Sequence, residues 1–297
     1  MNAKGFPEKL KKSAFTFSDA ARLRSQSRTL KTSAMQNKAP WHARLARALA
    51  IVLPLFLATA ALGTKFGVWG WQLGLSAFGL GGLVLIGMTA VIAIISIILI
   101  LRKDTKTGMG SALLGLIVPL GFAALFAPVI MGAGDHPIHD MSTDTETPPS
   151  FSADVLAARA ASEANPLNAY DTPLGQTEQF GENAELAEKT TASIVKANYP
   201  ELQPLALGDT DAGAAIAARK NSMADMGFTG IEADAETGTV EGLAETFWFG
   251  FKDDVVARVS DGQIDFRSVS RVGQSDLGAN AKRIVELRTR TAEQLGL

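Results

Sequence analysis

Val255-Val256-Ala257-Arg258-Val259-Ser260-Asp261-Gly262-Gln263-Ile264-Asp265-Phe266-Arg267-Ser268-Val269-Ser270 decides the fold of the carboxyl-terminal half. Two alternating runs flank Asp261-Gly262, a dipeptide that supplies positive φ at both positions of a tight hairpin turn. A two-residue turn there sets Ser260 opposite Gln263, Val259 opposite Ile264, Arg258 opposite Asp265, Ala257 opposite Phe266 and Val256 opposite Arg267. With Phe251-Lys252 as the preceding turn, Trp248 opposes Val255 and Glu245 opposes Arg258. One face then carries Ala244, Thr246, Trp248, Val255, Ala257, Val259, Ile264 and Phe266, and is expected to be the core. The opposite face carries a Glu245-Arg258-Asp265 row, Phe247, Phe249, Val256 and Arg267.

Working outward, further strands are expected at 230–235 and 239–249, ahead of 255–260 and 263–270. Helices are expected at 152–164, at 184–197, from an Asp209 or Thr210 cap to Met226, and from Ser275 to about Leu295. Residues 165–182 read mostly as loop, and 202–207 as a short extended piece. The order gives an α+β domain, a β-α-β4-α-like antiparallel sheet with packed helices. It resembles the TATA-binding-protein-like and helix-grip architecture, in which a curved sheet wraps a long terminal helix. That likeness rests on element order and implies no activity. A groove between such a sheet and helix suits an apolar or lipid ligand.

The amino-terminal half belongs to another solvent. Ala48 to Thr64 is a run of 17 uncharged residues, Trp71 to Leu101 a run of 31, and Thr107 to Gly134 a run of 28. At about 1.5 Å per residue and a hydrocarbon core of about 30 Å, the second and third runs can each span a bilayer, and the first is just long enough. The organisation expected is a basic tail at 1–45, a three-helix membrane anchor at 46–131 with helices near 46–64, 78–101 and 109–131, a linker at 132–150, and the exported domain at 151–297. Apart from Arg47 at the very start of the first, none of the three inferred spans holds an ionisable residue, which disfavours transport by the bundle alone. Gly74, Gly79, Gly81, Gly82 and Gly87 are candidate close-approach positions.

The net charge of −2 hides three unlike regions: +9 over residues 1–47, +3 over 48–134 and −14 over 135–297. Cations flanking membrane helices stay on the cytoplasmic side. The leader and the Arg102-Lys103-Asp104-Thr105-Lys106 loop are the basic flanks, whereas the loop between the first two helices has Lys65 with Trp69 and Trp71. The amino terminus is therefore expected inside and the acidic domain outside. An alternative start at Met35, with a signal peptide ending at Ala58-Thr59-Ala60, exports the same domain. The acid-poor leader also has the composition of an organellar transit peptide, beside its plainer reading as a cytoplasmic tail. The acidic domain would repel nucleic acid.

Three longer patterns carry a resemblance. They are Ser142-Thr143-Asp144-x-x-x-Pro148-Pro149, then Phe251-Lys252-Asp253-Asp254, then Asp265-x-Arg267-Ser268-x-Ser270-Arg271-x-Gly273-x-Ser275-Asp276-x-Gly278-x-Asn280-x-x-Arg283-Ile284. Over roughly residues 135–295 the chain resembles the domain of unknown function 1499 family. The resemblance implies a domain following hydrophobic helices in a bacterial inner membrane, with a periplasmic carboxyl-terminal domain; other members resemble plastid proteins. It implies no activity and no catalytic residue. The 151–183 stretch lies outside the recognised patterns and reads as an insertion.

Two readings of the last pattern stand side by side. In one, Gly273 makes a turn, Ser275 or Asp276 caps the terminal helix and Gly278 permits close approach, with no ligand needed. In the other, an anion or partner binds Arg267, Ser270, Arg271, Ser275 and Asn280 where positive charge meets a helix start, although Asp276 would oppose an anion there. Asp253 and Asp254 read either as an acid/base pair or as solvated turn acids. His136, His139, Asp140 and Asp144 match no metal spacing, so no metal and no cofactor is expected. The chain has no cysteine, no G-x-S-x-G elbow and no phosphate-cradling glycine motif. The function expected is a non-catalytic envelope module binding a protein, lipid or cell-wall ligand. The alternative is an envelope hydrolase working through carboxylates or a cryptic Ser/His set.

Overall fold

The computed structural model describes residues 38–132, 138–177 and 184–297. The leader up to Asn37, the start at Met35, His136 and Glu182 lie outside the described residues. Three helices are long and apolar enough to cross a membrane: α1 (Trp41–Lys65), α2 (Trp71–Leu101) and α3 (Met109–Gly132). α1 begins five residues before the expected span and takes in His42, Arg44 and Arg47 in its first turns. α2 begins seven residues early and contains a π-helical segment, Ala77–Gly81.

The chain divides into two compact units, Met1–Pro54 with Val84–Gly121 and Leu55–Leu83 with Phe122–Leu297. In the first, Ala43, Ile100 and Ala112 are buried together, and His42 Nδ1 lies 2.7 Å from Ser96 Oγ. A Cβ on Gly115 would fall 2.7 Å from Ala46 Cβ, so the two helices approach closely there. In the second unit the expected glycine contacts divide. A Cβ on Gly74, Gly81 or Gly82 would collide with Thr64, Phe56 or Leu57, whereas Gly79, and Gly87 in the first unit, face open space.

The rest of the second unit is an antiparallel sheet with helices. Its elements are β1 (Asp140–Ser142), α4 (Ala153–Ala161), α5 (Thr191–Asn198), β2 (Leu205–Ala206), α6 (Ala212–Asp225), β3 (Thr229–Asp234), β4 (Thr239–Glu245), β5 (Lys252–Ser260), β6 (Gln263–Ser270) and α7 (Ala279–Leu295). The strand order is β1-β6-β5-β4-β3, and β2 pairs with the other end of the β6 edge that β1 occupies. All five residue pairs expected across Asp261-Gly262 occur, with Asp261 and Gly262 both at positive φ.

α6 and α7 pack on one face over Val240, Ala244, Val255, Ala257, Ile264 and Phe266. Burying each large apolar side chain contributes about 1.5–3 kcal/mol, so this layer is the main source of stability. The second face is covered as well. Phe151 packs on Val256 and Val269, joined by Val155 and Leu167, so residues 151–167 roof the side opposite the helices. The stretch read as an insertion is therefore part of the domain core.

Several local expectations are corrected. Ile138 to Ser142, read as linker, is buried, and its strand pairs with β6. The β4–β5 connection is not a turn at Phe251-Lys252: Glu245 pairs with Lys252, and Thr239 rather than Glu245 opposes Arg258. Residues 246–251 form a loop closed by Thr246, whose amide donates to the Phe251 carbonyl and whose hydroxyl accepts from the Phe251 amide. Of the expected Glu245-Arg258-Asp265 row the Arg258–Asp265 pair forms without Glu245, and the Trp248–Val255 pair does not form. The helix expected at 184–197 starts only after Thr190, which caps it in a reciprocal box with Ser193. Before it, the Ala187 and Lys189 carbonyls accept from Gly175 and Leu174 instead of propagating a helix. α6 is capped by Asp211, not Asp209 or Thr210.

Candidate functional site

Alternation along β6 sorts the signature residues onto two faces. Asp265, Arg267, Val269 and then Arg271 point to the roofed side, and Phe266, Ser268 and Ser270 point toward α7. The same rule separates Asp253 from Asp254 on β5. Their carboxylates are on opposite sides of the sheet and do not form a facing acid/base pair.

On the roofed side the arginines and aspartates pair with one another. Arg267 grips Asp140 through two hydrogen bonds of 3.0 and 2.7 Å, while Tyr170 donates its hydroxyl to the same carboxylate at 2.8 Å. The Arg267 guanidinium lies 5.7 Å from the Phe151 ring centre and 5.5 Å from that of Tyr170, and donates to the Pro149 carbonyl. Such cation–π contacts contribute about 0.5–2 kcal/mol each. Asp254 is clamped between Arg159, at 2.6 Å, and Arg271, at 2.9 and 2.7 Å. Arg258 pairs with Asp144 at 3.1 Å and lies 3.8 Å from Asp265.

Burial would depress the Arg267 pKa, but Asp140 and Tyr170 together outweigh it and hold the guanidinium above its ordinary value. Burial and the same carboxylate push the Tyr170 hydroxyl well up, so it stays a donor. Four arginines here meet four aspartates, and Glu241, buried on the same face, accepts from the Ser152 amide at 2.6 Å.

On the helix side Asn280 is the hub. Its Oδ1 accepts from Ser268 Oγ at 2.7 Å and from Arg283, and its Nδ2 donates to the His139 carbonyl and to Ser270 Oγ, both at 2.9 Å. Arg283 also donates to Ser268 Oγ and reaches Asp253 at 2.6 Å. The terminal helix begins at Ala279, four residues later than expected, because Leu277 and Gly278 both have positive φ. Asp276 accepts from the Gly278 and Asn280 amides and so occupies the helix start. Burial raises the Asp276 pKa against those two hydrogen bonds.

Of the five residues expected to bind an anion or partner, Arg267, Ser270, Arg271 and Asn280 spend their polar atoms on one another's neighbours. Arg267 and Arg271 lie on the face opposite Ser270 and Asn280. Ser275 alone lines a cavity, of about 230 Å³, with Tyr199, Leu277 and Lys282. His139 is buried and its Nε2–H donates to the Pro166 carbonyl at 3.1 Å, and burial lowers its pKa. Among the described residues no cluster of His, Asp and Glu could hold a metal ion.

Sequence reasoning missed Asp140, Arg159 and Tyr170 as partners of the signature. The available signal was the alternation itself, since a strand face carrying Asp265, Arg267 and Arg271 next to Val256 and Val269 needs a charged cover if buried. It also missed a larger groove of about 490 Å³, which has Met226, Phe228 and Ala244 as apolar lining and Lys282, Arg283, Arg290, Asp225, Glu245 and Glu286 around them.

No curated protein and no solved structure matches the chain. A family model described as "Protein of unknown function (DUF1499)" matches residues 140–290, from the Asp140 that anchors Arg267 to the middle of the terminal helix. With that model spanning just over half of its residues, the chain belongs to the DUF1499 family.

Proposed function

We propose that this protein is a multi-pass protein of the bacterial inner membrane whose periplasmic domain is a non-catalytic binding module for an envelope protein, lipid or cell-wall fragment. The observation that carries the reading is the internal pairing of the signature charges. Buried guanidinium and carboxylate groups that satisfy one another build a rigid support and leave no ionised group poised over a reacting bond. The surface then open to a ligand is the groove beside α7, where Lys282 is exposed above the apolar lining of Met226 and Phe228. A polar-rimmed apolar groove suits a ligand or partner with an apolar anchor.

The orientation rests on the basic flanks at the leader and the Arg102–Lys106 loop, and on an odd number of spans. A reporter active only in the periplasm, fused after Leu297, is expected to be active; silence would reverse the topology. Native mass spectrometry of the full chain extracted in detergent tests the binding role. A retained lipid, glycan fragment or protein that is lost in Lys282→Glu supports it. Turnover of an envelope ester or glycoside by the purified chain would overturn it in favour of a hydrolase.

A further inference from the structure

Three spans place the end of α1, the start of α2 and the end of α3 on the same side of a bilayer, and the sheet domain follows α3. The loop between β4 and β5, Thr246-Phe247-Trp248-Phe249-Gly250-Phe251, meets the end of α1 and the amino-terminal part of α2. Lys65, the last residue of α1, donates from its amine to the Phe247 carbonyl at 2.8 Å, lies 5.0 Å from the Phe247 ring centre, and is 3.7 Å from Glu245. A Cβ on Gly250 would fall 3.1 Å from Lys65 Cγ, so the loop backbone rests against that side chain. Phe249 stacks on Phe251 at 5.0 Å and packs edge-on against Phe78 of α2 at 5.3 Å.

Phe247 and Trp248 are left outward. They are 71% and 54% exposed, although the sequence put Trp248 on the core face. Phe66 and Val68, in the turn between α1 and α2, are 72% and 69% exposed. Two adjacent large aromatics at a hairpin tip, level with a terminal lysine and a second exposed apolar turn, are hard to place against water. Trp and Lys are the side chains that suit the headgroup layer, where a ring is half in hydrocarbon and an amine reaches phosphate.

We infer that the Phe247-Trp248 tip is an interfacial anchor, inserted into the headgroup boundary of the same bilayer that α1 to α3 cross. It fixes the exported domain close to the lipid surface, whether or not the groove beside α7 takes a ligand. The occupant is lipid because the tip is continuous with the exposed apolar ends of the spans and is held there by Lys65 rather than by a groove shaped for a peptide.

The chain has no cysteine, so single labels can be placed cleanly. Trp248→Cys, Phe247→Cys and Asp261→Cys are each labelled with an environment-sensitive dye. The full chain is then reconstituted into phosphatidylethanolamine/phosphatidylglycerol nanodiscs carrying a nitroxide near the headgroup end of the acyl chain. Asp261 is the control, at the far end of β5, roughly 27 Å along the strand. An insertion of about 5–10 Å predicts blue-shifted emission and quenching about twofold or more above the Asp261 position for both tip labels. Thermal melts confirm that each labelled chain is folded. Quenching at 247 and 248 no greater than at 261 would overturn the anchor.

Discussion

Asp253 and Asp254 are consecutive on one strand, yet one lies under Arg283 of the terminal helix and the other is clamped between Arg159 and Arg271 on the far side of the sheet. Strand geometry dictates the separation, because successive side chains point to opposite faces. The consequence is that the signature ties both coverings, helix and roof, to the same two central strands.

Breaking the second clamp tests its structural weight. Asp254 is 2% exposed and its partner Arg159 is 4% exposed, so Asp254→Ala leaves the buried Arg159 and the partly buried Arg271 without their carboxylate. Removing one partner of a buried pair typically costs about 3–5 kcal/mol. Urea denaturation of the full chain in detergent should show a loss in that range. A change comparable to an exposed pair, below about 1 kcal/mol, would mean the clamp is not dry.

Asn280 should matter through its amide rather than through its size. Asn280→Ala removes the donor to the His139 carbonyl and to Ser270, and the acceptor for Ser268 and Arg283. With those groups left buried, a loss of about 2–3 kcal/mol is expected from denaturant unfolding. The alternative that these residues serve an external ligand predicts near-normal stability with binding lost.

The contrast between hairpins explains what was legible from sequence. Asp261-Gly262 is a local rule, since two residues of fixed backbone preference set the register of every pair behind them. The β4–β5 loop misled because Phe247, Trp248 and Phe249 continue a strand-like aromatic pattern, whereas Thr246 closes a longer turn and Gly250, at φ 67°, completes it. Apolar run lengths likewise located the three membrane-length helices, but charge pairing at long range had no such marker. Arg159 meets Asp254 across 95 residues, and Arg267 meets Asp140 across 127. Nothing periodic connects those positions, so charges that looked solvated proved to be buried partners.

Two buried groups predict opposite pH behaviour. Burial lowers the His139 pKa below 6.5, so the folded state resists the proton that the unfolded chain accepts. Its contribution is complete above 6.5 and is lost as pH falls from there through the folded value. Asp276 is the reverse: burial raises its pKa above 3.8, so its contribution is present below 3.8 and is lost as pH rises through the raised folded value. His139→Gln should therefore flatten the acid-side fall in stability that begins at 6.5. Asp276→Asn should gain relative to the parent as pH rises above 3.8. Unfolding curves that stay parallel to the parent across both windows would contradict these assignments.

Arg219 provides the counter-case, a buried cation with no carboxylate partner among the described residues. It is fully buried in α6 and donates Nε to the Ala215 carbonyl and Nη1 to the Gly238 and Ala257 carbonyls, while Nη2 has no partner among the described residues. Burial brings its pKa down to about 10, so it remains charged near neutrality. The Gly238 carbonyl also accepts from the Val259 amide, so it keeps a donor if the arginine is lost. Arg219→Met relieves the desolvation of an unpaired charge and strands little, and should cost no more than about 1 kcal/mol or stabilise the fold. The same denaturation assay should thus separate Arg219→Met from Asp254→Ala by at least about 2 kcal/mol. Equal losses would show that volume alone, and not charge pairing, governs both positions.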